Sequence, residues 1–138
     1  MTIKNKTEKI RFGLVGGVNT VIDFGTLFTL TSLGLPPLLS NVISTTFAFF
    51  FSFFANKKYT FKSTGTNVKR EIILFTVITL FGLWVIQSVV IAIMTTLLSS
   101  LALPHGIMLF IAKVTATIAS LIWNYTLYSR IVFKKQGG

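Results

Sequence analysis

Four long apolar stretches divide this chain, and they constrain its fold more than any other feature of the sequence. They cover approximately residues 12–33, 38–56, 72–98 and 107–129. An α-helix needs roughly 20 residues to cross a bilayer about 30 Å thick, and each stretch is of that length or longer. The mean hydropathy of +0.77 and the 12% of charged residues, against about one quarter in an average soluble domain, agree with this interpretation. The sequence therefore predicts an all-α membrane protein with four transmembrane helices in a single domain, residues 1–138.

The distribution of charge predicts how these helices are oriented. Twelve of the thirteen Lys and Arg residues lie in the N-terminal tail, in the polar segment 57–70 or in the C-terminal tail. Because Lys and Arg accumulate on the cytoplasmic side of membranes, we expect a multi-pass protein of the cytoplasmic membrane with both termini and the middle loop inside. Two hairpins that each start and end inside would be parallel repeats, related by an axis along the membrane normal.

The chain also repeats part of itself. In the second stretch, small and polar residues share one helical face, while most phenylalanines lie elsewhere. The small and polar residues of this face are Asn41, Ser44, Thr45, Ala48, Ser52 and Asn56. We call this face the polar seam. A shift of 68 residues aligns it with the fourth stretch: Ala48 with Ala116, Ser52 with Ser120 and Asn56 with Asn124. A basic-x-x-Phe-Lys ending recurs at a different shift, 72, in segments 58–62 and 130–134. We interpret the chain as two imperfect repeats.

Two charged residues interrupt the apolar stretches. Asp23 is the only acid inside a predicted span, near its middle, and Lys113 is the only cation, some 10 Å from the outer surface at about 1.5 Å per residue. An ionised side chain in lipid is costly unless it meets a partner or a polar interior. We therefore expect Asp23 and Lys113 to pair along a transport pathway, with Asn19 supporting Asp23 from the preceding turn. The alternatives are an ion pair that only fixes helix register and a lysine that extends to the membrane surface.

Basic residues gather where the second and fourth stretches end. Asn56, Lys57 and Lys58 close the second stretch and Arg130 closes the fourth. Charge-assisted hydrogen bonds from these side chains would hold a lipid phosphate, although setting the membrane orientation is an alternative role for the same charges. The net charge of +10 lies beside apolar segments, which favours anionic lipids over nucleic acid as partners.

The sequence does not indicate catalytic or metal-binding chemistry. The chain has no cysteine and one histidine, His105, which lies in a predicted turn. Asp23 is too deep in the membrane to orient His105 in a hydrolytic triad, and the two residues are too few and too distant to hold a metal. Gly13 and Gly17 are spaced for close helix packing and are not followed by the Gly-Lys-Ser/Thr of a phosphate loop. We therefore expect no catalytic residue, metal or cofactor.

Three segments, in this order, resemble the GtrA family of small four-helix membrane proteins. They are Arg11–Asp23 with its glycines and Asn19, Phe54–Phe61 with Asn-Lys-Lys at its centre, and Ala112–Phe133, which begins with Ala-Lys. The resemblance implies a role in cell-surface polysaccharide or teichoic acid glycosylation. In such a role, a partner membrane glycosyltransferase makes a polyprenyl-phosphate-linked sugar on the cytoplasmic leaflet. The GtrA-like protein, which is not an enzyme, flips this lipid to the outer face.

The residues and the resemblance together predict a translocator. Lys57, Lys58 and Arg130 would gather the lipid phosphate. The path of the headgroup would be lined by Asn19, Asp23, Asn56, Lys113 and Asn124. Because four helices can hardly enclose a hydrated sugar, we expect a homo-oligomer or a complex with the glycosyltransferase. Two alternatives stay open: a membrane scaffold for the glycosyltransferase that transports nothing, and a proton-coupled exporter of the small-multidrug type, for which an acid in the first span is suited.

Overall fold

The computed structural model describes residues 3–133 of the chain, and all of the regular structure in that range is helical. Four helices are long and apolar enough to cross a membrane. We number them spans 1 to 4: Asn5–Ser32, Pro37–Thr60, Val68–Leu101 and His105–Val132. The predicted all-α fold with four transmembrane helices is therefore confirmed. The parallel arrangement of the repeats and the cytoplasmic termini stay predictions.

The spans are built from α-helices joined to short π-helical turns. The α-helices are α1 (Ile3–Ser32), α2 (Pro37–Ala55), α3 (Val68–Phe81), α4 (Gln87–Leu98) and α5 (His105–Leu127). The π-helical turns are Asn56–Thr60, Gly82–Ile86 and Tyr128–Val132, and a 3₁₀ turn, Ser99–Leu101, ends span 3. Each π-helical turn closes with a backbone hydrogen bond between residues five apart, such as the 2.9 Å bond from the Phe61 N–H to the Asn56 carbonyl. The first and third of these turns form the ends of spans 2 and 4, and the second joins α3 to α4 within span 3.

Two helices begin earlier than their apolar residues do. The first starts at Ile3 and not near residue 12, and the third starts at Val68 and not near residue 72. Asn67 caps the third helix, since its side-chain oxygen accepts a 3.1 Å hydrogen bond from the Arg70 N–H. The apolar limits of a stretch indicate the part that lipid can cover, whereas a helix can also include the polar residues that flank this part. The two kinds of boundary therefore differ by several residues.

The first hairpin comprises residues 3–65 of the described chain. Its turn uses Gly34, whose φ of 96° lies in the left-handed region that favours glycine, and Leu35 returns a 3.1 Å hydrogen bond to the Leu30 carbonyl. Pro36 and Pro37 then start α2, because a proline supplies the right φ where a helix has no need of its N–H. Helices α1 and α2 pack side by side from this turn.

The second hairpin comprises residues 66–133. Span 3 runs through its π-helical turn without a break and packs against α5. The turn between them uses Ala102, with a left-handed φ of 49°, and Pro104 precedes α5. Trp123 joins the two spans, since its indole N–H donates a 3.2 Å hydrogen bond to the Ile78 carbonyl and its ring stacks on Phe81.

The polar seams are buried at intervals of four residues. Along α2 and the start of its π-helical turn, Ser40, Ser44, Ala48 and Asn56 are buried in this register, Ser52 is partly buried, and Phe53 is buried outside the register. The buried residues along α5 are Ala112, Ala116, Ser120 and Asn124. Asn41 and Thr45, which we placed in the seam, are exposed, so the prediction is wrong for these two residues. Phe47, Phe50 and Phe54 are exposed, which fits a phenylalanine-rich surface against lipid.

Candidate functional site

The end of span 2 places Asn56 at the start of a π-helical turn. The Asn56 side chain is 2% exposed, and its Nδ2 donates to the Ser52 carbonyl at 2.8 Å and to Ser52 Oγ at 3.3 Å. Its Oδ1 is buried and has no hydrogen-bond partner among residues 3–133. Thr60, at the other end of the same turn, also has a buried hydroxyl oxygen with no partner in that range. This turn therefore combines two buried acceptors at the basic end of the span.

The two lysines that follow Asn56 have different surroundings. Lys57 is buried, and its ammonium group donates a 2.8 Å hydrogen bond to the Gly65 carbonyl, which holds the loop after span 2 against the helix end. Lys58 is exposed. Tyr59 follows Lys58 in sequence, and the Arg11 guanidinium lies 5.4 Å from the centre of the Tyr59 ring in a cation–π contact. Of the two predicted phosphate ligands in this hairpin, Lys58 is thus the one presented at the surface.

Span 1 carries two further unpartnered acceptors one helical turn apart. Asn19 and Asp23 are partly buried, and in each the Oδ1 atom is buried without a hydrogen-bond partner among the described residues. Asp23 lies nine residues before the end of span 1 at Ser32, or about 14 Å along the helix. Both polar side chains therefore lie well inside the apolar part of the span. Unsatisfied polar atoms at such a depth are rare and point to a function.

The seam of span 4 is covered by a glycine of span 3. A Cβ atom added at Gly82 would lie 2.8 Å from Asn124 Oδ1, 3.0 Å from Ser120 Oγ and 3.2 Å from Trp123 Cδ1. The absence of a side chain at Gly82 thus lets the two helices approach over the polar groups. Asn124 Oδ1 is buried and has no hydrogen-bond partner in the described part of the chain. Its contact with Gly82 favours a packing role for Asn124 in this conformation.

Lys113 has a partner that the sequence analysis did not identify. Its ammonium group donates a 2.6 Å hydrogen bond to Oε1 of Gln87 in span 3. Gln87 is 7% exposed, whereas Lys113 is exposed on the outside of the hairpin. The isolated amide in an otherwise apolar stretch was the available signal, since a buried glutamine needs a partner. The pairing of Lys113 with Asp23 would join the two hairpins and stays a prediction.

The end of span 4 differs in chemistry from the end of span 2. Tyr128 starts its π-helical turn, and its hydroxyl is hydrogen-bonded to Thr79 Oγ1. The Tyr128 ring stacks on Phe75 with 4.5 Å between the centroids, and Phe133 packs against both rings. Arg130 in the same turn is exposed, as its predicted role requires. Lys134, the last residue of the predicted ending, lies outside the described residues.

A second acid lies inside a span, contrary to our expectation that Asp23 is alone. Glu71 belongs to the first turn of α3, because this helix starts at Val68, and it is 3% exposed. We had placed the beginning of the span one residue after it. An acid in the first turn also fits the positive end of the helix dipole.

A family model described as "GtrA/DPMS, transmembrane domain" matches residues 11–133. The chain belongs to this family. The matched range holds most of span 1, all of spans 2 to 4 and each residue of the predicted binding site, and the predicted resemblance to GtrA proteins is therefore confirmed. The GtrA/DPMS family is one of membrane proteins concerned with lipid-linked sugars, so the chain is a multi-pass membrane protein associated with the handling of such lipids.

A relative from Bacillus subtilis (strain 168) is similar in sequence to most of this chain. It is described as the uncharacterized membrane protein YngA, and it is 30% identical to this chain over 126 residues. The match covers 91% of this chain and 79% of YngA. The GtrA/DPMS assignment rests on the family model, which covers nearly the whole chain and not a single motif.

Proposed function

We propose that this protein translocates a polyprenyl-phosphate-linked sugar across the cytoplasmic membrane for the glycosylation of a surface polysaccharide or teichoic acid. The observation that carries the proposal is a set of buried side-chain oxygens without hydrogen-bond partners among residues 3–133, on Asn19, Asp23 and Asn56. Leaving one such acceptor unpaired costs about 1–3 kcal/mol. The hydroxyl groups of a sugar are donors that would pair with these oxygens during its passage.

The phosphate of the lipid would be attracted by exposed cations. Each hairpin presents one at the π-helical turn that ends its second helix, Lys58 in the first and Arg130 in the second. Lys57 is committed to the Gly65 carbonyl, so we assign it to shaping this end of span 2 and not to direct capture. Arginine and lysine at a membrane surface bind phosphate through charge-assisted hydrogen bonds.

The polyprenyl chain would stay in the bilayer throughout. The exposed face of span 2 has an apolar groove, lined by Val42, Ile43, Thr46, Phe47 and Phe50. This groove and the polar seam lie on the same helix, so a lipid could keep its tail in hydrocarbon while its headgroup follows polar side chains. That division suits a carrier lipid better than a free sugar.

Bond formation is left to another protein in this proposal. A partner membrane glycosyltransferase would supply the lipid-linked sugar on the cytoplasmic side, and we infer a non-enzymatic role for this chain. The concentration of Lys and Arg in the tails and in the middle loop supports cytoplasmic termini. Because four helices offer little room for a hydrated headgroup, we also propose that the working form is a homo-oligomer or a complex with the glycosyltransferase.

The test is the sidedness of a labelled polyprenyl-phosphate sugar in proteoliposomes. Wild-type protein is compared with Asp23→Asn, which at nearly constant shape replaces one oxygen of the partly buried carboxyl group by an NH₂ group and so removes an acceptor for sugar hydroxyls. The matched control in the same helix is Thr29→Val, because the Thr29 hydroxyl is exposed and donates to the Gly25 carbonyl of its own helix. We expect the labelled lipid to reach the inner leaflet at least about tenfold more slowly with Asp23→Asn, a difference near 1.4 kcal/mol in barrier height.

The outcomes separate translocation from a scaffold. Movement with wild type and Thr29→Val but not with Asp23→Asn, at equal amounts of folded protein, supports the proposal. No movement with folded wild type, even after the glycosyltransferase and a membrane potential are supplied in turn, rejects translocation and favours the scaffold. Movement of cationic drugs that depends on Asp23, without movement of the lipid, would favour the exporter.

A further inference from the structure

The contact between Lys113 and Gln87 leaves a positive charge without a counter-charge on the surface of the second hairpin. Gln87 accepts a hydrogen bond from the Lys113 ammonium group at 2.6 Å, but a neutral amide cannot cancel its charge. The only acid in residues 66–133 is Glu71, sixteen residues before Gln87, which is about 24 Å of helix. Nothing in the sequence of this hairpin therefore supplies a counter-charge near the ammonium group.

The position of the pair makes it accessible from the lipid side. Lys113 is exposed on the hairpin surface, although it belongs to a transmembrane span. It lies eight residues after His105, the first residue of span 4, which is about 12 Å along the helix. A lysine stem can carry its ammonium group part of that distance towards the headgroups. The charge is thus within reach of a lipid phosphate, while Gln87 is buried beneath it.

We propose that Lys113 and Gln87 form a binding site for a phosphate group carried on a lipid. Lys113 is the direct ligand of the phosphate oxygens. Gln87 is a positioning residue, because its Oε1 holds the ammonium group at the surface of the hairpin. Resting on the proposed function, this site lies at the opposite end of span 4 from Arg130, and it receives the phosphate after the headgroup has crossed.

A purely structural role for the pair makes the opposite prediction for one substitution. Gln87→Glu keeps the size of the side chain and converts the hydrogen bond with Lys113 into an ion pair. If the contact serves only to hold spans 3 and 4 together, this variant keeps or strengthens it. If the contact serves to hold a phosphate, the new carboxylate competes with the phosphate for the same ammonium group. The carboxylate also repels the phosphate, because both are negatively charged.

The experiment measures lipid binding to purified full-length protein by native mass spectrometry. The probes are polyprenyl phosphate, polyprenol without the phosphate, and phosphatidylglycerol, each added to protein in neutral detergent. The variants are Lys113→Met, Lys113→Arg and Gln87→Glu, with Thr117→Val as a matched control, since the Thr117 hydroxyl donates an exposed hydrogen bond to the backbone of its own helix. Thermal unfolding in the same detergent reports whether each variant is folded.

We expect Lys113→Met and Gln87→Glu to weaken binding of polyprenyl phosphate by about ten- to a hundredfold, the range for hydrogen bonds to charged groups. Lys113→Arg and Thr117→Val should bind polyprenyl phosphate with an affinity within about threefold of wild type, a smaller change than the tenfold loss expected for the other two variants. Polyprenol binding should be the same in all variants. A larger loss for polyprenyl phosphate than for phosphatidylglycerol assigns the site to the carrier lipid, and an equal loss assigns it to the phosphate of membrane lipids in general.

Unchanged phosphate binding in folded Gln87→Glu overturns the inference, and so does an equal loss of polyprenol and polyprenyl phosphate in folded Lys113→Met. If Lys113→Met does not fold, Gln87→Glu alone decides. Binding is measured without any transport step, so this result stands apart from the proteoliposome assay. If wild type flips the lipid and Gln87→Glu binds polyprenyl phosphate as wild type does, the site is rejected and the proposed function is retained.

Discussion

Replacing Gly82 by alanine tests how closely spans 3 and 4 approach. The new Cβ atom would lie 2.8 Å from Asn124 Oδ1, 3.0 Å from Ser120 Oγ and 3.2 Å from Trp123 Cδ1. The amide oxygen would have to retreat by about 0.6 Å to reach an ordinary contact of 3.4 Å, and the other two atoms by smaller amounts. All three side chains lie within four residues on the side of α5 that packs against span 3, so they cannot all move aside independently.

The expected cost follows from two opposing terms. Overpacking a tight contact costs about 1–3 kcal/mol. Alanine in place of glycine favours a helix by up to about 1 kcal/mol. We therefore expect the free energy of unfolding of the second hairpin to fall by about 1–2 kcal/mol, because the clash involves three atoms and outweighs the helical gain. At about 4 °C per kcal/mol, the unfolding midpoint should fall by about 4–8 °C.

Thermal unfolding in detergent, followed by tryptophan fluorescence, measures this change. Trp123 is a useful reporter, since the same shift would disturb its 3.2 Å hydrogen bond to the Ile78 carbonyl. The matched control is Gly25→Ala, because nothing lies within 4 Å of a Cβ atom added at that glycine in α1. Gly25→Ala should unfold at the wild-type temperature or slightly above it. Equal midpoints for Gly82→Ala and Gly25→Ala would refute the close approach of the two spans.

Two further substitutions test hydrogen bonds at the span ends by the same measurement. Tyr128→Phe should lower the free energy of unfolding by about 1 kcal/mol, because it loses the bond to Thr79 and keeps the ring stack. When Thr79 is already valine, Tyr128→Phe should cost almost nothing further. If the effects of Tyr128→Phe and Thr79→Val simply added in the double variant, the hydrogen bond between these residues would be contradicted. Lys57→Met should cost about 1.5–3 kcal/mol through its lost bond to a loop carbonyl. Lys58 is exposed, so Lys58→Met should change the free energy of unfolding by no more than about 0.5 kcal/mol. Equal effects of the two lysine variants would contradict the assignment of the stabilising hydrogen bond to Lys57.

The sequence was sufficient to predict the four spans because an apolar run of about 20 residues is typical of a membrane-spanning helix and rare in soluble domains. It was also sufficient to place Ala48, Asn56 and Asn124 on buried faces, since small and polar residues four apart share a side of a helix. It failed at Asn41 and Thr45, which satisfy the same spacing but point away from the packed side. Periodicity gives the width of a face only approximately, and residues at its edge cannot be assigned without the neighbouring helix.

Contacts between spans could not be predicted at the level of atoms. Gln87 and Lys113 are 26 positions apart, and their hydrogen bond depends on the relative rotation of spans 3 and 4. Gly82 is a single glycine in a long apolar stretch, and nothing in the sequence around it shows that this residue approaches Asn124 closely. The π-helical turns were equally hidden, because a change from four-residue to five-residue hydrogen bonds leaves no simple trace in composition.

The two shifts of the internal repeat, 68 and 72, have one structural cause. Gly34 and Ala102, which correspond at a shift of 68, both have left-handed backbone, and Pro36 and Pro104 follow two residues later to start α2 and α5. The two helices therefore begin in the same register. However, α2 has 19 residues before its π-helical turn and α5 has 23, so α5 contains about one more helical turn. The extra turn moves the ending of the second repeat from a shift of 68 to one of 72.

This extra turn makes the ends of the two hairpins chemically unequal. In the first hairpin, Asn56 starts the π-helical turn and holds a buried acceptor without a partner in residues 3–133, close in sequence to the exposed Lys58. In the second, Tyr128 occupies the corresponding place with its hydroxyl bonded to Thr79, and Asn124 lies about 6 Å further from the end of its helix. Only the first hairpin therefore has, at the start of this turn and among the described residues, an unpartnered acceptor close in sequence to an exposed cation. Under the translocation that we propose, the first hairpin engages the sugar at entry, and the second contributes mainly cations to the phosphate.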